Sequence, residues 1–137
     1  MVDSTGVRRT FSGAPWESLV GYCRGIRVGN QIFITGTAPV AADGSVVAPG
    51  DAYSQAKRCF EIIQQALEDL DADLSCVVRT RMFVTDINRW AEFGKAHHEY
   101  FADHPPATTM VEVQRLIDPQ MLIEIEVDAV VVNRNCP

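Results

Sequence analysis

"DAYSQAKRCFEIIQQALEDLDADLSCVVRTRMFVTD", residues 51–86, changes its apolar period halfway along, and that change decides the fold class. In the first half Ala52, Ala56, Cys59, Phe60, Ile63, Ala66, Leu67 and Leu70 recur at spacings of three and four, which is one stripe of a helix. Asp51 stands where a carboxylate can accept a backbone N–H of the first turn, so the helix is predicted to run from a cap at Asp51 to about Asp71. The second half alternates instead. Cys76, Val78, Thr80, Met82 and Val84 fall on one face of a strand over 76–86, with Arg79, Arg81 and Phe83 on the other.

Outward from this pair the same two periods repeat. In "GIRVGNQIFITG" (25–36) two apolar runs flank Gly29-Asn30, a pair that favours the positive φ of tight hairpin turns. Upstream, "TFSGAPWESLVG" (10–21) reads as a short edge strand followed by loop, and Asp43-Gly44 marks a turn before the helix. Downstream, Asn88 can cap a second helix through Phe101, with Trp90, Phe93, His97, Tyr100 and Phe101 near one side. Two strands follow, 108–116 and 122–133, joined across Asp118-Pro119. The order β-β-α-β-α-β-β, with one further strand at the N-terminus, makes one α+β domain over 1–137: a mixed sheet with two helices on one face. The opposite face, part charged and part apolar, is what a subunit interface offers, so self-association is expected.

Composition sets the outer limits. The chain has 137 residues, 47% of them apolar and 22% charged, as in an ordinary globular domain. No apolar run approaches the roughly 18 residues of a membrane span, and no apolar segment follows the N-terminal charges, so neither a membrane nor a secretory signal is expected. Cys23, Cys59, Cys76 and Cys136 form no CxxC or zinc pattern; reduced thiols in a cytoplasmic protein are the expectation. The net charge of −6, from 18 acidic and 12 basic residues, opposes the phosphate-neutralising surface that nucleic acids require.

"MLIEIEVDAVV" (121–131) is the strand with most to say about chemistry. Glu124, Glu126 and Asp128 alternate with Ile123, Ile125, Val127 and Ala129, so three acids project from one face. A solvated face explains them simply. Yet acids have low strand propensity and repel at that spacing, which is easier to understand if one of them works in a cleft. Glu112 would join the same face if the last two strands paired even with even. His97 and His98 point about 100° apart on a helix and find no third ligand at sensible spacing, so no metal site is expected. Neither a phosphate-binding glycine loop nor a GxSxG elbow is present, and a cofactor-free protein follows by elimination.

Three stretches together, "GYCRGIRVGNQIFITGTAPV" (21–40), residues 51–88 and "PPATTMVEVQRLIDPQMLIEIEVDAVV" (105–131), resemble the Rid family, also called the YjgF or reactive-intermediate-deaminase family. The resemblance runs from about Gly21 to Val131 and implies a chorismate-mutase-like fold and a homotrimer with small-molecule clefts between subunits. Its best-understood members hydrolyse enamines or imines to a 2-oxo acid and ammonia. They carry Pro-Ala-Arg-Ser-Cys at a strand start, where the arginine grips the substrate carboxylate. Here that stretch is Pro106-Ala107-Thr108-Thr109-Met110, so Thr108 takes the arginine's position.

The resemblance assigns the remaining site positions one by one. Tyr22 is the aromatic near the first strand, and Thr35 and Gly36 stand where the family has a cleft-lining Ser-Gly pair. Gly94 replaces an asparagine, and Met110 replaces a cysteine whose backbone N–H helps to bind the ligand. Glu126 matches the glutamate that positions the attacking water. The water-handling end is kept and the carboxylate anchor is lost. Three functions are then open: a deaminase-like hydrolase whose substrate lacks the usual carboxylate or has it bound differently, a non-catalytic small-molecule-binding trimer, and an endoribonuclease or translation inhibitor. The acidic composition weighs against the last.

Overall fold

The carboxylate of Asp51 accepts the Ser54 N–H at 3.0 Å, so α1 (Ala52–Asp69) opens at the predicted cap. It closes as Asp71 turns into the left-handed region at φ 61° and the Ala72 N–H reaches back to the Leu67 carbonyl at 2.9 Å. The computed structural model that shows this describes residues 5–132. The second helix begins later than predicted. Asp86, not Asn88, supplies the capping carboxylate: it accepts the Asn88 N–H at 3.0 Å and closes a 3-10 turn over Ile87–Arg89. Asn88 lies inside that turn and not ahead of it, and α2 (Trp90–Phe101) continues from the turn without a side-chain cap.

Among the described residues six strands form one sheet: β1 (Val7–Thr10), β2 (Gly25–Val28), β3 (Gln31–Thr37), β4 (Val77–Val84), β5 (Ala107–Glu112) and β6 (Ile123–Val130). Their order is β1-β2-β3-β6-β4-β5, so the fold is a mixed α+β sheet with two long helices. The hairpin β2–β3 is as predicted. The expected pairing of the last two strands is not. β5 runs parallel to β4, with α2 as the crossover between them, and β6 inserts between β3 and β4. Glu112 therefore lies two strands away from β6, where its carboxylate accepts the Ile87 N–H at 3.0 Å.

A single buried amide helps to hold the returning chain. Gln55 on α1, fully enclosed, donates to the Gln120 carbonyl at 2.9 Å and accepts the Leu122 N–H at 2.8 Å, so β6 enters the sheet beneath α1. Ile123, Ile125, Val127 and Ala129 then pack under the helices with Phe60, Ile63 and Leu67, and Glu124, Glu126 and Asp128 take the other face. In β4 the predicted alternation breaks once. A bulge between Val77 and Arg79 turns Val77 inward, at 4% exposure, and leaves Val78 at 46%. Cys23 and Cys59 are free thiols; Cys76 is disulfide-bonded, contrary to the reduced-thiol expectation, and Cys136 lies outside the described residues. No described element covers the sheet face opposite the helices, where Phe33 and Val111 remain 43% and 42% exposed.

Candidate functional site

A cavity of about 560 Å³ opens beside the end of β3. Its walls are the segment 12–16, Tyr22 and Arg24, residues 35–38, the turn at 40–44, Arg58 and Ile62 of α1, Ile117, and Glu124 of β6. The N-terminal wall hangs on a buried ion pair. Glu17 and Arg24, 4% and 6% exposed, meet through Arg24 Nε and Nη2, which donate to Glu17 Oε2 at 3.1 and 3.0 Å. Ser12 donates to the same carboxylate through its N–H and its hydroxyl. Burial works to raise the Glu17 carboxyl, but the hydrogen bonds from Ser12 and Arg24 and the charge of Arg24 outweigh it and hold it below its ordinary value. Arg24 Nη1 also donates to the Gly36 carbonyl at 2.9 Å, which ties the wall to β3 just where its pairing with β6 shifts register.

Glu124 lies against this end of β3. A Cβ built on Gly36 would sit 2.2 Å from Glu124 Oε2, so a residue without a side chain is what lets the carboxyl occupy the cavity. Among the described residues this carboxyl accepts no hydrogen bond. Burial raises its pKa above the ordinary value and the neighbouring charge of Glu126 adds to the rise, while Arg24 opposes it. The other two acids of the row share one guanidinium. Arg81 Nη1 stands 3.3 Å from Glu126 Oε1 and 3.1 Å from Asp128 Oδ2. Glu126 borders a second, more open hollow on the uncovered sheet face with Arg9, Cys23, Ile26 and Phe33; Tyr22 and Thr35 line both spaces.

The residues singled out in the sequence thus separate into two groups. Tyr22, Thr35 and Gly36 share the cavity, and its carboxyl is Glu124, with Glu126 next door in a salt bridge. Gly94, Thr108 and Met110 line neither space. Thr108 and Met110 sit on the edge strand β5 in register with Thr80 and Met82, their side chains toward the helices. Thr108 Oγ1 lies 2.9 Å from Thr80 Oγ1 and 3.3 Å from His97 Nε2, and Thr80 Oγ1 is 2.9 Å from the same nitrogen. Gly94 is one turn before His97 on α2, and a Cβ there would meet nothing within 4 Å. The sequence did not single out Glu17 or His97 as site residues, and Glu124 was one of three acids among which Glu126 took the assigned role. The signal for Glu124 is the glycine facing it, which is visible only once β3 and β6 are paired.

Among the described residues no cluster of three or more His, Cys, Asp or Glu could hold a metal ion, and no helix is long and apolar enough to cross a membrane. The family model for endoribonuclease L-PSP matches residues 13–131. A 2-iminobutanoate/2-iminopropanoate deaminase of Escherichia coli is 30% identical over 116 residues, covering 82% of this chain and 88% of that one. A YjgF-family crystal structure from Mycobacterium tuberculosis is similar with a TM-score of 0.83 at 40% identity, covering 91% of this chain and 99% of that one. The structure of a putative endoribonuclease from Thermotoga maritima aligns with a TM-score of 0.82 at 28% identity, covering 91% and 97%.

Proposed function

The chain belongs to the endoribonuclease L-PSP family, the YjgF or Rid proteins, and on that footing we propose that it is a homotrimeric, deaminase-like small-molecule hydrolase in which Glu124 handles the attacking water. The observation that carries this reading is the state of Glu124: half-buried in a cavity, raised in pKa, and free of hydrogen bonds among the described residues. A carboxyl in that condition can take a proton from water and return it. In imine hydrolysis the water oxygen bonds to the C=N carbon while Glu124 takes one water proton and passes it to the nitrogen. This gives a neutral carbinolamine, whose hydroxyl proton then moves by way of the same carboxylate to the departing amine. The carbinolamine then collapses. Its C–N bond breaks, ammonia leaves and a carbonyl remains, so no cofactor is needed.

The substrate would be an imine or related metabolite without the usual carboxylate. Thr108 stands at the anchoring position, and the guanidinium nearest the cavity carboxyl, Arg24, is neutralised by Glu17. Assembly completes the site in this reading. The uncovered face carries Arg81, Glu126 and Asp128 beside the exposed apolar Phe33 and Val111, a surface suited to partner subunits. Clefts between subunits would bring the Thr108 group of one chain to the Glu124 cavity of the next. Light scattering at micromolar concentration should report a trimer, and a stable monomer would remove the inter-subunit site.

The test of chemistry uses imines generated from simple primary amines by an amine oxidase, with ammonia release measured above spontaneous hydrolysis. Glu124→Gln should lose about a hundredfold or more of the rate, and Glu126→Gln only a few-fold. Equal rates for wild type and Glu124→Gln would end the hydrolase reading. The alternative, a non-catalytic binding trimer, is favoured by the missing arginine; it predicts ligand binding with no turnover by any variant. Cleavage of RNA is disfavoured by the net charge of −6.

A further inference from the structure

Thr80 is fully buried, yet its hydroxyl is one corner of a closed triangle with His97 Nε2 and the exposed Thr108 hydroxyl, with sides of 2.9, 2.9 and 3.3 Å. His97 is held by Phe101, 4.7 Å between ring centroids, and by the edge of Phe60 at 5.8 Å. No formal charge enters the triangle at neutral pH, because burial lowers the His97 pKa. We infer that the Thr108 hydroxyl, aimed by His97 and Thr80, is the polar anchor of the substrate, and that it selects an uncharged carbonyl, amide or hydroxyl group where relatives grip a carboxylate. The inference rests on the reading of Thr108 as part of the ligand site.

Proton counting gives the triangle its use. With the proton on His97 Nε2, the ring donates to Thr80, Thr80 donates to Thr108, and the Thr108 O–H, whose remaining acceptor within the chain is the Pro106 carbonyl at a long 3.4 Å, can turn to donate to a ligand carbonyl. With the proton on Nδ1, Thr80 donates to the ring, Thr108 donates to Thr80, and the Thr108 oxygen is left to accept from an amide N–H. Either tautomer satisfies the buried hydroxyl and leaves one neutral group at the exposed corner. A carboxylate arriving there would lose hydration without a cation to offset the loss. Arg79 does not supply one from the adjacent strand: it pairs in register with Ala107, the residue before Thr108, and so takes the opposite face of the sheet.

His97 and Thr80 are thus positioning residues. The test compares a matched pair of probes, 2-oxobutanamide and 2-oxobutanoate, by ligand-observed NMR titration of the assembled protein. Wild type should bind the amide about tenfold more tightly than the acid, the scale of one hydrogen bond. Thr108→Val should erase that preference, and Thr108→Ser should restore most of it, a rescue that a purely structural threonine would not produce. His97→Leu should weaken the amide as Thr108→Val does while the assembly state is unchanged; if this variant fails to fold, the valine and serine pair decides alone. Tighter binding of the acid by wild type, an amide preference that survives Thr108→Val, or no binding of either probe would overturn the inference. Ammonia release by Glu124→Gln is read in a separate assay from the amide-to-acid preference of wild type and Thr108→Val, so a failure of the hydrolase reading is told apart from a failure of this one.

Discussion

The Glu124 cavity and the Thr108 triangle are built on opposite principles. At the cavity a carboxyl is brought partly out of water and finds no hydrogen-bond partner among the described residues, and the surroundings that hold it there are the Glu17–Arg24 pair and the bare backbone of Gly36. At the triangle each of the three side chains has a partner and none is charged. A group without a partner is reactive, and a group with its partners in place is selective. The contrast implies that chemistry and recognition can be disturbed separately, and the following variants ask whether they can.

The largest effect should come from the cavity's foundation. Arg24→Met leaves Glu17 buried with only Ser12 as partner, and breaking such a pair costs about 3–5 kcal/mol. Urea denaturation should show a loss on that scale, whereas Arg81→Met, which breaks a half-exposed contact, should cost about 1 kcal/mol or less. Equal losses would mean that the cavity wall does not depend on the pair.

Next in size is Gly36→Ala. Its new methyl group would fall 2.2 Å from Glu124 Oε2, so either the carboxyl or the end of β3 must move. Any turnover that depends on Glu124 should fall as far as in Glu124→Gln, roughly a hundredfold, with amide binding at the triangle little changed. A fall in binding alone would place the two regions in one functional unit.

Thr108→Arg reverses the comparison from the recognition side. A charged hydrogen bond is worth roughly 1.5–3 kcal/mol, so this variant should gain ten- to a hundredfold in affinity for 2-oxobutanoate. Wild type should release negligible ammonia from 2-aminoacrylate. Brisk release by wild type would point to another cation in the site, with Arg24, Arg79 and Arg115 the first to replace.

The smallest effects, and the ones that set the regions directly against each other, are those of pH. Burial lowers the His97 pKa below 6.5, so as pH falls below that value the unfolded chain takes up a proton before the folded one and stability declines. Glu124 is shifted the other way. Its folded pKa lies above 4.5, so the stabilisation present below that value is lost as pH rises through the folded pKa. His97→Gln should flatten the acid-side decline in the urea midpoint, and Glu124→Gln the loss on the rising side. Unchanged pH profiles would show that these environments are not those of the folded protein in solution.

Local chemistry was readable without the fold. The Asp51 cap, the α1 stripe from Ala52 to Leu70, the Gly29-Asn30 hairpin and the alternation of β6 each depend on residues within a few positions of one another, where backbone preference and apolar period act directly. The resemblance to a known family pointed to Tyr22, Thr35 and Gly36, which line one cavity, and read Thr108 at the position of an arginine. Tertiary structure decided the rest, because each remaining feature joins residues far apart in the chain. Gln55 clamps the chain at 120–122 and β6 slides between β3 and β4, which takes Glu112 away from the acid row. Arg81 binds Glu126 and Asp128, while Gly36 makes room for Glu124; three acids that look alike in sequence thereby become one unpaired carboxyl and two held in salt bridges. The alternation of a strand says which face a side chain takes, but only its neighbours across the sheet say whether it finds a partner there.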